Sequence, residues 1–382
     1  MRAGRSVTVG RGEAAYGAFV PHPLPPTIAY DGHLLGVLSD ADRALGELNG
    51  LGRMLPDPDL LISPFVHREA VLSSKIEGTQ ASVTDLYALE AGQPGQADPS
   101  PRRSADVQEV ANYIDSLKHG LERIRTFPLS LRLLGELHLR LMTDVRGNEA
   151  RPGEFRTSQN WIGTAGCLLR DATYVPPPPD VLMDVLGQLE LYLHADDEAN
   201  PPLVRLAVVH GQFEMIHPFL DGNGRIGRLL LTLLLVHWGL LSMPLLYLSA
   251  FFERRRSEYY AGLLGISRHG AWERWIAFFL EGVRSEALDA AARAKRLQDL
   301  QHRWRERFTG IRGSALTLRL VDVLFEGPIL TIPRAQALLG VTYPSAKVHV
   351  DKLVSAGILM PFGSRTYGRA FAAEDILRVI DS

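Results

Sequence analysis

The chain is poor in several features, and each shortage excludes something. It holds a single cysteine, Cys167, so no disulfide can close within it, and a reducing compartment is expected. Its charge nearly cancels: 41 Lys and Arg against 43 Asp and Glu leave −2, which gives no bulk reason for nucleic acid or membrane as the main partner. Long apolar runs are absent. The most apolar stretch, 229–241, is too short to span a bilayer and contains His237 and Trp238, so it reads as a buried helix. No apolar stretch follows Arg2 and Arg5, so no secretory leader is expected. There is no internal repeat, no GxxxxGK[ST] loop of the common NTPases, and no low-complexity segment beyond the prolines at 176–179. The expectation is a soluble cytoplasmic protein.

What is present is enough for a sizeable core. With 382 residues, 46% of them hydrophobic, two or three globular domains are expected. Residues 1–33, rich in glycine and proline, read as an extended surface arm. Helical periodicity begins at Leu34 and opens a helical region over 34–100. Within it Ser63 reads as a helix cap and Pro64 as a first-turn residue, with Gly78 ending that helix. A loop is expected at 93–103. Helices follow at 105–125, 130–142, 181–194, 203–216 and 225–238, with more up to Phe308. Between them Asn160–Gly163 and Thr173–Val175 read as two short strands of a hairpin. Residues 313–382 give a helix, a helix-turn-helix capped by Thr331 and Thr342, and a final hairpin, the order of a winged helix.

The most informative stretch is His217 to Arg228, HPFLDGNGRIGR. Apolar residues at Leu206, Val209, Phe213 and Ile216 lead a helix into it, and Ile226, Leu229, Leu230 and Leu233 lead a second helix out. Gly222, Asn223 and Gly224 therefore lie at a helix N-terminus, where free N–H groups and the helix dipole favour an anion. Arg225 and Arg228, three apart, can share a di- or triphosphate. Asp221 can supply one carboxylate to Mg²⁺, leaving phosphate oxygens and water to complete its shell. A histidine at a helix end is ordinarily a cap or a core residue, but His217 has an anion cradle within a few residues and suits proton acceptance from a hydroxyl. Gly222, Gly224 and Gly227 also spell GxGxxG. That dinucleotide fingerprint needs a preceding strand, and here a helix precedes it.

This segment matches the Fic signature HPFxDGNGRxxR, and the chain resembles the Fic family from about Leu34 to Phe308. The resemblance implies a mainly α fold: a Fic-type helical core over 101–308, with a β-hairpin flap at 155–179 and the motif at 217–228. It implies a protein adenylyltransferase that moves AMP from ATP onto a Ser, Thr or Tyr hydroxyl of a target protein or of itself. His217 would be the base, Asp221 would carry Mg²⁺, and the stretch Gly222, Asn223, Gly224, Arg225, Ile226, Gly227 and Arg228 would hold the nucleotide. Tyr259 and Tyr260 resemble a pair found near the adenine, although tyrosines at such spacing are commonly core. Trp161, Ile162, Gly163, Thr173, Tyr174 and Val175 resemble the flap edge that pairs with a target backbone.

Ser73 to Gly78 reads SSKIEG, similar to the family's inhibitory motif, within an inhibitory helix expected at 63–78. Ser73 and Glu77 share a helix face, with Ser74 beside them, and the resemblance places Ser74 among the ATP-binding residues. Glu77 sits at a helix C-terminus, where the dipole disfavours a carboxylate. The resemblance pairs Glu77 with Arg228, so that ATP is held unproductively. The alternatives are transfer of another nucleotidyl or phosphoryl group, and a DNA-binding regulator. In the last, residues 313–382 would contact DNA through Lys347, His349, Lys352, Arg365 and Arg369. A homodimer is a further possible assembly.

Overall fold

The computed structural model describes residues 3–12, 15–54, 58–93, 100–145, 151–164, 166–311, 314–363 and 369–381. The three- and four-residue apolar spacing is realised as helices along most of this length. The division into two compact units is different from the one the sequence suggests. Residues 1–49 with 115–287 form one unit, and residues 50–114 with 288–382 form the other.

The first unit is organised on two consecutive helices, α7 (Pro202–Ile216) and α8 (Asn223–His237), which pack on each other. Both are buried nearly all round, which is why their sequences carry apolar residues on every face. Around them pack α5 (Leu131–Met142), α6 (Pro179–His194) and α10 (Arg256–His269). The start of α11 (Trp272–Glu306) adds Trp275, whose Nε1 donates to Ala207 O at 2.8 Å. Residues 4–21, read from sequence as an extended arm, form an antiparallel hairpin of β1 (Gly4–Val9) and β2 (Tyr16–Pro21). Its register runs from Gly4↔Pro21 to Val9↔Tyr16, and β2 packs on α7. The alternation of Ser6, Val7, Thr8 and Val9 was the available signal, hidden by the glycines and prolines around it.

The second unit contains α2 (Pro58–Ile76), α3 (Val83–Glu90) and the helices that end the chain. Here α2 begins at Pro58, five residues before the expected cap. Ser63 lies inside it, and its Oγ donates to Glu326 O at 2.8 Å, so this hydroxyl joins two segments instead of starting a helix. Pro64 is tolerated within the helix, where it removes one backbone donor. The N-terminal residue of α4 (Pro101–Arg123) is Pro101, so helix replaces the loop expected through Arg103.

The C-terminal elements run α12 (Ala315–Glu326), β3 (Ile329–Thr331), α13 (Ile332–Leu339), α14 (Tyr343–Ser355), β4 (Met360–Phe362), β5 (Ala370–Ala372) and α15 (Glu374–Asp381). The strands form one antiparallel sheet in the order β3-β5-β4, and β3 was not foreseen because three residues are too few for a periodic signal. Thr331 caps α13 by accepting from Arg334 N–H, as its sequence position suggests, whereas Thr342 stands at the N-cap of α14 without a capping hydrogen bond from its side chain. Both α12 and α15 pack on α2. Arg365, assigned to the wing from sequence, lies outside the described residues.

Candidate functional site

The loop between α7 and α8 brings the expected residues together at two facing helix ends. His217 follows the last residue of α7 as its C-cap, with φ 49°, a left-handed conformation that few non-glycine residues adopt. Its N–H donates to Phe213 O at 3.0 Å, closing the last turn. The ring is half-buried at the loop. Five residues later Gly222 caps α8 with φ 76°, so the chain turns left-handed at both ends of the loop. A Cβ on Gly222 would also meet Met142 Sδ at 3.0 Å.

Asn223 closes the loop on itself. Its Oδ1 accepts from Phe219 N–H and its Nδ2 donates to Phe219 O, both at 2.8 Å. Phe219 in turn stacks on His138, with ring centroids 3.8 Å apart. The first-turn N–H groups of α8 have no intrahelical acceptor, so the amides after Gly222 can receive an anion. Arg225 and Arg228 are both buried, at 4% and 2% exposure, whereas the Asp221 side chain is 53% exposed. Asp221 Oδ1 accepts from Gly222 N–H at 2.6 Å and lies 3.7 Å from Arg225 Nη2. An exposed carboxylate beside a helix N-terminus has the chemistry to hold Mg²⁺ together with a bound polyphosphate. No cluster of three or more His, Cys, Asp or Glu able to hold a metal occurs among the described residues. One carboxylate with phosphate oxygens and water is thus the donor set available.

The last glycine of the GxGxxG string has a helix–helix reason. A side chain on Gly227 would collide with Glu214 Oε1 and sit 3.1 Å from Phe213, so the third glycine allows α7 and α8 to approach. Ile226 is fully buried in the same core.

The flap region is less regular than its sequence suggests. Ile162 and Tyr174 form an isolated antiparallel bridge, with N···O distances of 2.9 and 3.0 Å, and the two short strands do not form. The bridge does bring Trp161–Gly163 beside Thr173–Val175. Trp161 and Ile162 are exposed by 42% and 41%. Tyr174 turns inward, its hydroxyl donating to Met215 O at 2.6 Å. Tyr259 and Tyr260 separate: Tyr260 is 43% exposed, while Tyr259 is buried with its hydroxyl 2.9 Å from His210 Nε2. Burial among aromatic rings pushes the His210 imidazole down to about 3.

Ser73, Ser74, Glu77 and Gly78 belong to the second unit. Ser73 and Ser74 are fully buried on α2, and Glu77 is exposed just beyond its last residue. Gly78, at φ 100°, ends the segment, with Glu77 N–H donating to Ser74 O and Gly78 N–H to Lys75 O. In α14 His349 is buried and within 2.8 Å of Thr317 Oγ1, and Lys347 pairs with Asp351 at 2.6 Å. Lys352 remains an exposed cation on that helix.

Three side chains that hold the loop were not foreseen. Arg156, Asn160 and His138 contact it through backbone carbonyls of residues 216–221. Nothing in their spacing distinguishes them, because what matters is their burial and aim. No described helix is long and apolar enough to cross a membrane.

A profile described as Fic/DOC family N-terminal matches residues 35–122, and one described as Fic/DOC family matches residues 128–235. Relatives include the protein adenylyltransferase fic-1 of Caenorhabditis briggsae, 32% identical over 49% of this chain and 34% of its own length. The protein adenylyltransferase Fic of Drosophila virilis is 31% identical over 41% of this chain and 29% of its own. The chain thus spans about a third of the curated relatives it matches. Among solved structures, a Fic family protein from Desulfovibrio desulfuricans has the same fold, with TM-score 0.58 and 19% identity, over 92% of this chain and 98% of its own. Fic-1 from C. elegans follows at TM-score 0.51 and 22% identity, over 70% and 74%. The second profile takes in the loop with the two helices that flank it, the two profiles together cover just over half of the chain, and the chain belongs to the Fic/DOC family.

Proposed function

We propose that this protein is an ATP-dependent adenylyltransferase that acts on protein hydroxyls in the cytoplasm. The observation that carries the reading is the facing pair of helix ends: His217 on one, and the amides of Gly222, Asn223 and Gly224 with Arg225 and Arg228 on the other. The names of the relatives point to the same reaction.

In this reading the polyphosphate of ATP lies at the N-terminus of α8, its charge met by the amides, the dipole and the two guanidinium groups. A Ser, Thr or Tyr hydroxyl of the target, or of the enzyme itself, approaches along the flap edge at Trp161 to Gly163 and Thr173 to Val175. Its oxygen attacks the α-phosphorus and passes its proton to the His217 imidazole. The bond from that phosphorus to the oxygen bridging toward the β-phosphate breaks, and pyrophosphate leaves. Asp221 would hold Mg²⁺, which supplies charge neutralisation on the phosphates. Tyr260, being exposed, suits an adenine contact better than Tyr259, whose hydroxyl is engaged by His210.

Glu77 serves as the inhibitor in this scheme. Its carboxylate takes the γ-phosphate's place at Arg228, with Ser73, Ser74 and Gly78 shaping the helix end that carries it. Labelled ATP and Mg²⁺ test both parts. Glu77→Gly should increase AMP incorporation, and His217→Ala in that background should abolish it while ATP still binds. Equal, low labelling of wild type and Glu77→Gly would exclude the inhibitory role. Residues 314–381 have the element order of a winged helix, and α12 and α15 rest on α2, so this region suits control of the inhibitory helix. The buried His349 and the paired Lys347 leave α14 poorly equipped to read DNA.

A further inference from the structure

We propose that Arg156 and Asn160 are positioning residues that seat His217, by capping the end of α7 with side chains from the base of the flap. The role in catalysis rests on the transfer reading above; the cap itself does not.

A helix leaves its last carbonyls without internal donors. At the end of α7 those donors come from the flap. Tyr174 Oη donates to Met215 O at 2.6 Å and Arg156 Nη2 to Ile216 O at 3.4 Å. Arg156 Nε donates to His217 O at 3.0 Å, and Asn160 Nδ2 reaches the same oxygen at 3.2 Å and Phe219 O at 2.8 Å. The Arg156 N–H donates to Pro218 O at 3.0 Å. The two carbonyls that bracket the His217–Pro218–Phe219 turn are thus fixed by residues about 60 positions earlier in the chain.

His217 needs such a hold. A left-handed non-glycine residue is strained and persists where its surroundings enforce it. A C-terminal glycine would relieve that strain but could not carry an imidazole.

Arg156 is chemically suited to the task. It is 3% exposed, and its described acceptors are all backbone carbonyls. Burial pushes its guanidinium down to about 10, so it stays charged at neutral pH, with its positive charge at the negative end of α7. The planar fork also donates to Pro177 O at 2.6 Å and Ser158 O at 3.4 Å, on the two sides of the flap. A lysine ammonium could satisfy part of this set but not its plane. The surface that would receive a target and the carbonyl of the base are therefore tied through one side chain.

The test uses the full chain carrying Glu77→Gly, with Arg156→Lys, Arg156→Met and Asn160→Ala added separately. The readouts are the self-labelling rate against ATP concentration, binding of a fluorescent ATP analogue, amide exchange over 215–220, and the melting temperature. Expected are losses of the saturating rate of about 30-fold in Arg156→Met and about 10-fold in Asn160→Ala. Half-saturating ATP and analogue affinity should stay within about threefold of the parent, and Arg156→Lys should recover part of the rate. A bystander role gives another pattern, in which rate, affinity and melting temperature fall together and lysine rescues nothing. That pattern, or unchanged saturating rates in all three, overturns the proposal. If the Glu77→Gly parent transfers no AMP, the transfer reading fails and the cap is judged by exchange. Faster exchange over 215–220 in the variants supports the cap, and unchanged exchange refutes it.

Discussion

His138 Nε2 lies 3.1 Å from the carbonyl oxygen of Asp221, while its Nδ1 accepts from Gly153 N–H at 2.8 Å. This pair of partners fixes the tautomer: Nε2 carries the hydrogen and the ring is neutral. From α5, His138 thus anchors the α7–α8 loop at Asp221 and stacks on its Phe219.

Burial pushes the His138 imidazole down to about 4, and His210 to about 3. Both stay neutral when folded and gain protons readily when unfolded, so acid favours unfolding. Their neutral-state stability is full above the unfolded value near 6.5 and is lost as pH falls toward 4. For His138 the loss reaches about 3 kcal/mol by the lower end of that window. Denaturant unfolding at pH 7, 5.5 and 4.5 measures it, and His210→Phe should flatten the slope. A stability that holds level down to pH 4.5 would contradict the assignment.

Gly222→Ala tests the α8 end of the loop. The position has φ 76°, and the new methyl would meet Met142 Sδ at 3.0 Å. The strain is on the order of 1–3 kcal/mol, and shifting the amides should weaken ATP binding about tenfold or more. Titration calorimetry checks the affinity, and a melt checks the stability. Gly224→Ala, which lacks a positive φ, should be milder.

How much of this was legible in the sequence follows from which interactions are local. The α7–α8 loop could be read because its chemistry is contiguous: His217 to Arg228 form both helix ends in one stretch. Helical periodicity likewise gave α5 to α8 to within a few residues. The α2 start was misread because Ser63 and Pro64 make a good local cap, and the competing claim on Ser63, the carbonyl of Glu326, lies 263 residues away. The two flap strands reduce to one backbone bridge, Ile162 with Tyr174, and the Tyr174 side chain is spent on a hydrogen bond to the end of α7. Arg156 and His138 could not be seen at all, because a buried arginine and a surface arginine have the same letter.

Asp221→Asn probes the metal. Asn keeps the acceptor for Gly222 N–H but loses the charge that Mg²⁺ requires. In the Glu77→Gly background, the Mg²⁺ needed for half-maximal labelling should rise at least about tenfold, with ATP binding in the absence of metal little changed. An unchanged Mg²⁺ requirement would mean that Asp221 does not hold the ion.

In the proposed scheme, the hydrogen bond from Ser63 to Glu326 O separates two ways of releasing Glu77. If release of Glu77 moves the whole helix away from α12, that bond breaks on release and Ser63→Ala favours the released form. One hydrogen bond contributes about 1 kcal/mol, so labelling by the otherwise wild-type chain should rise about fivefold. If instead the segment after Ile76 swings alone, α2 stays on α12 and the substitution leaves labelling unchanged while lowering the melting temperature slightly. Ser63 lies three helical turns before the SSKIEG segment, so the substitution does not touch Glu77 itself. A fivefold rise would therefore assign the helix, rather than its tip, as the moving part, and would make α12 the element through which the C-terminal region controls it.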